Sequence, residues 1–178
     1  MPFSFTRCSI EGLYEISPEV FGDNRGYFYE SYSQKHFFDV GLKINFVQDN
    51  MSFSKKGTLR GLHFQTQNPQ EKLVSVINGE VFDVAVDIRK DSKTYGKWHG
   101  VLLNGSSHKQ FYIPQGFAHG FLVLSDTSLI SYKCTDFYNP KAESGIIWND
   151  RKIAIDWPKL DVEYTLSDKD KNWSELYI

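Results

Sequence analysis

Between residues 44 and 138 the apolar positions fall in short runs rich in Val, Ile, Phe and Tyr, each cut by clusters of Gly, Pro, Asn and Ser. That spacing predicts an all-β sandwich or barrel, with helix in a minor part. In EVFDVAVDI, Phe82, Val84, Val86 and Ile88 fall on one face while Val81, Asp83, Ala85 and Asp87 fall on the other, the period of two that a strand imposes. One face packs; the other is partly polar. Further strands are predicted over Lys72–Asn78, Trp98–Asn104, Gln110–Ile113, 121–125 and 128–135, bounded by turn residues such as Gly79, Asn104-Gly105, Pro114 and Ser125-Asp126. That is enough strands to close a small barrel. A helical pattern is confined to SQKHFFDVG, with Ser33 as cap and Gly41 as stop, and to the stretch after Leu166, with Ser167 as cap.

Composition narrows the picture. A chain of 178 residues, 40% hydrophobic, fills one core and is too short for two comfortable domains, so a single domain over 1–178 is expected. Its 20 basic and 22 acidic residues nearly cancel, leaving no global field for nucleic acid or an anionic membrane. Cys8 and Cys134 lie far apart without CxxC spacing, which suits idle thiols in a reducing compartment better than a disulfide framework or zinc site. Neither a signal-peptide pattern nor an apolar run of spanning length is present, so a cytoplasmic location is expected.

Polar residues on an inner barrel face raise the question of chemistry. A metal-binding cupin needs paired histidines such as HxH with a carboxylate, but His36, His63, His99, His108 and His119 are spread singly. Phosphate-cradling glycine motifs and nucleophile elbows are absent too. Proton transfer or simple binding remains, and proton transfer calls for a base of near-neutral pKa. His63, between Leu62 and Phe64, and His119, in PQGFAHGF, are the candidates. Taken singly, each reads better as a structural histidine hydrogen-bonded at a strand edge. Tyr132 shares a strand face with Ile130 and Cys134, and Arg25, Arg60 and Lys72 would by default be solvated charges.

The combination says more. In order along the chain, FGDNRGYFYESY, FVQDN, LRGLHFQ, EKLVSVINGEVFDVAVDIRK, GKWHGVLL, IPQGFAHGF, YKCTDFY, WNDRKIAIDWP and LSDKD resemble the dTDP-4-dehydrorhamnose 3,5-epimerase family. The resemblance implies a metal-free, cofactor-free, cupin-like jelly roll, usually a homodimer, acting on a dTDP-4-dehydro-6-deoxyhexose. It implies His63 as base, Asp170 as its orienting carboxylate, Lys72 as the cation beside the enolate oxygen and Tyr132 as the acid on the opposite face. Arg25, Arg60 and Lys169 would contact phosphate, with Glu30, Gln48 and Asn50 helping to place the nucleotide. His119 and Glu143 match further substrate-contacting positions, and Asp83 is expected to orient His119. The alternatives are an epimerase acting at C3 or C5 alone, a non-catalytic sugar-nucleotide binding module and, least favoured for want of paired histidines, a metal-dependent cupin oxygenase.

Overall fold

The structure is a computed structural model, and it describes residues 2–176. Thirteen strands and two short helices follow one another as β1 (Phe3–Arg7), β2 (Tyr14–Pro18), β3 (Phe21–Asp23), β4 (Gly26–Phe28), α1 (Gln34–Asp39), β5 (Gln48–Lys55), β6 (Leu59–Gln65), β7 (Lys72–Asn78), β8 (Glu80–Asp87), β9 (Trp98–Asn104), β10 (Gln110–Ile113), β11 (Phe117–Val123), β12 (Thr127–Cys134), β13 (Glu143–Gly145) and α2 (Asp168–Lys171). One sheet runs β1-β2-β10-β7-β12-β5 and a second runs β13-β6-β11-β8-β9, while β3 and β4 form a separate hairpin. This is a cupin-like jelly roll of two facing sheets.

Three apolar clusters hold the layers. The inner one joins Val74, Val76, Phe111, Ile113 and Ile130 of the first sheet to Val81, Ala85, Val101, Leu103, Phe117, Phe121 and Val123 of the second. The outer face of the second sheet, with Leu59, Leu62, Val84, Val86, Ala118 and Leu122, is covered by Ile146, Ile153 and Trp157. The outer face of the first sheet, with Phe3, Ile16, Leu73 and Tyr112, is covered by Phe37 and Ile44. Each fully buried side chain of this size contributes roughly 1.5–3 kcal/mol.

These covers explain where the sequence pattern and the fold part ways. The partly polar face of β8 points into the interior, where Asp83 and Asp87 are fully buried. β11 begins four residues before the predicted 121–125 strand, so His119 sits in mid-strand. β12 covers Thr127–Cys134 in place of 128–135. β1 to β4 and β13 lie outside the stretch where strands were expected. The two helices fall where predicted: Ser167 accepts from the Asp170 backbone N–H, whereas Ser33 occupies the cap position of α1 without a side-chain bond.

One irregularity shapes the site. His119 pairs with His63 and Phe121 with Arg60, so two steps along β11 match three along β6. This bulge puts Arg60 and His63 on the same, inward side although they are three residues apart. Gly61, at φ +130°, makes it possible, because a Cβ there would stand 2.5 Å from Gly120 Cα.

Candidate active site

The two sheets supply opposite walls of one cavity. On β12, Tyr132 stands beside Asn50 of β5, and Cys134 stands between Gln48 of β5 and Lys72 of β7. Across from them, β6 carries His63, flanked by His119 of β11 and Gly145 of β13. The enclosed space is about 610 Å³ and is lined by Gln48, Asn50, His63, Gln65, Lys72, Tyr132, Tyr138 and Glu143, among others. An adjoining space of about 280 Å³ brings Arg60 and His119 up to His63, Lys72 and Tyr132.

His63 Nε2 lies 2.6 Å from Asp170 Oδ1. Asp170 is buried, and its position is fixed by the Ser167 cap of α2, whose hydroxyl accepts from the Asp170 backbone N–H at 3.1 Å. Burial opposes ionisation of Asp170, but the hydrogen bond and charge of His63, together with Ser167 and Trp173, outweigh it and hold the carboxyl below its ordinary value. An ionised carboxylate on one ring nitrogen fixes the imidazole tautomer and stabilises the imidazolium formed when the other nitrogen takes a proton.

The Lys72 ammonium makes no hydrogen bond or ion pair among the described residues, although the residue's backbone pairs in the β7 ladder. Burial pushes its ammonium pKa below the ordinary lysine value, against the opposing pull of Cys134, Asp83 and Glu143. A cation in such a place is available to a developing negative oxygen. Burial raises the pKa of Tyr132, with Cys134 adding to the effect and Arg60 opposing it. Its hydroxyl therefore stays protonated and able to donate. His119 Nε2 meets both carboxylate oxygens of Asp83, at 2.9 and 3.0 Å. Burial lowers the His119 pKa against the pull of Asp83, and Lys72 and His63 lower it further.

At the mouth, Lys169 Nζ lies 2.8 Å from both Glu143 oxygens, and Tyr138 donates to the same carboxylate at 2.8 Å. Gln48 donates to Asn50 and accepts from the Tyr138 backbone N–H. Arg60 Nε donates to Ser54 Oγ.

The sequence-predicted residues thus divide. His63, Lys72, Tyr132, Gln48, Asn50, Arg60, His119 and Glu143 line the two cavities, with Asp170 behind His63 and Lys169 at the rim. Arg25 does not join them: it is exposed on the β3–β4 hairpin and paired with Asp23. Glu30 lies outside the cavities, 3.5 Å from His36. Tyr138 and Gln65 line the cavity without having been singled out in the sequence. Gln65 pins the 137–139 turn by bonds to Phe137 O and Asn139 N, and neither residue has a periodic signal that would have marked it. Among the described residues, the three-residue group close enough to share an ion, Cys8, Glu15 and His99, lines neither cavity.

A cupin-like jelly roll whose facing sheets carry a histidine–aspartate pair on one wall and a tyrosine and a half-buried lysine on the other defines an enzyme class able to move protons at a carbon between the walls. The family profile for dTDP-4-dehydrorhamnose 3,5-epimerase matches residues 7–177. The chain belongs to this family, and it is an isomerase. A dTDP-4-dehydrorhamnose 3,5-epimerase of Methanothermobacter thermautotrophicus is 53% identical over 175 residues, 98% of this chain and 95% of that one. Among solved structures, the Legionella pneumophila dTDP-6-deoxy-D-glucose-3,5-epimerase in complex with dTDP-4-keto-L-rhamnose is 51% identical with TM-score 0.92, covering 94% of this chain and 89% of that one. A 3'-monoepimerase of Streptomyces bikiniensis in complex with dTDP-quinovose is 32% identical with TM-score 0.89, covering 94% and 85%.

Proposed function

We infer that this protein inverts C3 and C5 of dTDP-4-dehydro-6-deoxy-D-glucose to give dTDP-4-dehydro-L-rhamnose. The observation that carries the reading is the opposition of His63, backed by Asp170, to Tyr132 across one cavity that also holds Lys72. The C4 ketone makes the hydrogens on C3 and C5 acidic. His63 removes one of them, and Asp170 stabilises the imidazolium. The electron pair moves to the ketone oxygen, where the Lys72 ammonium meets the enolate charge. Tyr132 returns a proton from the other side, which inverts the centre. A single group serving one face would tend to restore the starting configuration.

The dTDP moiety would hold the sugar in place, with Arg60 and Lys169 on phosphate and Gln48 and Asn50 on the nucleotide. Arginine suits phosphate because its planar fork donates two parallel bonds. Lys169 would exchange its Glu143 partner for phosphate. Remote binding of this kind raises the rate through geometry.

We further propose a cytoplasmic homodimer. Support comes from Met51 and Phe53, 72% and 62% exposed on the outer face of β5, an edge strand, and from Phe21, Tyr27 and Phe28, exposed on the hairpin. In such a dimer the exposed Arg25 would exchange its Asp23 partner for a nucleotide held by the partner subunit. Among the described residues no helix is long and apolar enough to cross a membrane.

A second reading, epimerisation at one carbon only, is favoured by one observation: a monoepimerase shares the fold at TM-score 0.89. Its 32% identity, against 53% and 51% for the 3,5-epimerases, ranks it second. Proton NMR of the product formed in heavy water tests both readings, since each epimerised carbon takes up solvent deuterium.

A further inference from the structure

The histidine–aspartate pair does not stand alone. Asp170 Oδ1, the atom that meets His63 at 2.6 Å, also accepts from Trp173 Nε1 at 3.4 Å. The indole then extends over Gly145, where a Cβ would stand 2.5 Å from Trp173 Cε2 and 2.6 Å from Nε1. Gly145 is the register partner of His63. The same indole stands edge-on to the His63 ring, centroids 6.3 Å apart at 71°. Beyond it, Ser174 bridges Ile146 and accepts from the Ile147 N–H at 3.0 Å, so the chain on both sides of Trp173 is tied down.

We propose that Trp173 is a positioning residue for the reaction: its indole N–H and ring plane fix the Asp170 carboxylate, and through it the tautomer and orientation of His63. The claim rests on the function inferred above. Four observations converge on it. The donor shares the oxygen that His63 uses. The ring occupies space that only glycine at position 145 leaves open. The ring also bounds His63 directly. Finally, the Ser167 cap fixes the Asp170 main chain but leaves the carboxylate free to rotate about its side-chain bonds, so a side-chain donor is what remains to set its plane. A hydrogen bond that spreads carboxylate charge onto a neutral indole also keeps Asp170 from holding the His63 proton too tightly, which suits a base that must gain and lose protons in each cycle.

The test is Trp173→Phe, which keeps a smaller aromatic ring and removes the donor. Turnover of the parent on dTDP-4-dehydro-6-deoxyglucose is measured first. Its absence would count against the inferred function, and the indole measurement below would still decide the contact. With the parent active, Trp173→Phe is expected to bind dTDP as the parent does and to lose kcat on the order of 5-fold. The acid limb of its kcat/KM profile is expected to move to higher pH, because a carboxylate with one donor fewer favours the protonated pair. A purely structural tryptophan would lower thermal stability and the active fraction alike at every pH, leaving the limb in place. That result, or turnover equal to the parent, overturns the proposal. Should the variant fail to fold, the indole N–H resonance of Trp173 in the unaltered protein, assigned by its nuclear Overhauser contact to the Gly145 α-protons, decides. It is expected to shift with pH in step with the His63 ring, and a resonance indifferent to that titration overturns the assignment.

Discussion

His63 Nε2 and Asp170 Oδ1 meet at 2.6 Å across 107 residues of sequence, one on an inner strand of the second sheet and the other in a single-turn helix near the C-terminus. In the proposed reaction Asp170 would orient the base through this contact. Asp170→Asn preserves the shape and removes the charge that stabilises the imidazolium. Its kcat is expected to fall on the order of 10³-fold with dTDP affinity unchanged, as read by steady-state kinetics and calorimetric titration. Turnover within a few-fold of the parent would leave Asp170 without that role.

Tyr132 and His63 face one another from different sheets, so their losses should look different. In Tyr132→Phe the base still removes protons, and the ketone should exchange hydrogen with solvent while net inversion falls by about 10²–10⁴-fold. Loss of exchange and inversion in equal measure would argue against separate roles.

Lys72 presents opposite signs for activity and stability. A half-buried, desolvated ammonium without an acceptor among the described residues costs folding energy, while a cation beside an enolate lowers the barrier. Lys72→Met is expected to lose about 10²–10³-fold in kcat and to gain about 1 kcal/mol in stability by denaturant titration. A variant both active and destabilised would contradict the assignment.

The fold class, most inner strands and both helices were legible in the sequence because period-two runs and turn residues survive in a single chain. The C-terminal side of the site was legible only through motif resemblance, since nothing periodic brings LSDKD to LRGLHFQ. The start of β11 was hidden because Gly116 and Gly120 interrupt the apolar run, although Gly120 is needed for the close approach of Gly61. The shared inward direction of Arg60 and His63 was illegible because a bulge breaks the alternation. β1 to β4 and β13 escaped because they are short and packed by tertiary contacts rather than marked by long alternating runs. Arg25 was legible as a motif residue but not as a residue on an isolated hairpin.

Asp87 offers a test of the frame independent of catalysis. Burial opposes its ionisation, but hydrogen bonds from Arg89, Ser92 and Thr94 prevail and lower its pKa to about 2. Because the folded value lies below the unfolded one, the stabilisation is present above the unfolded pKa and is lost as pH falls through about 2. Asp87→Asn should therefore cost about 2 kcal/mol near neutral pH, with the gap to the parent closing in acid. Thermal melts across pH would reveal a gap that persists in acid, and such a gap would point to packing instead of charge.

In the proposed reaction His63 removes protons from the two carbons flanking the substrate ketone. The most direct measurement is proton NMR of dTDP-4-dehydro-6-deoxyglucose incubated with the protein in heavy water, alongside His63→Ala. Deuterium is expected at both C3 and C5 with the parent protein and at neither with the variant. Exchange in His63→Ala at the parent's rate would contradict His63 as the base, and exchange at a single carbon in the parent would contradict the double inversion.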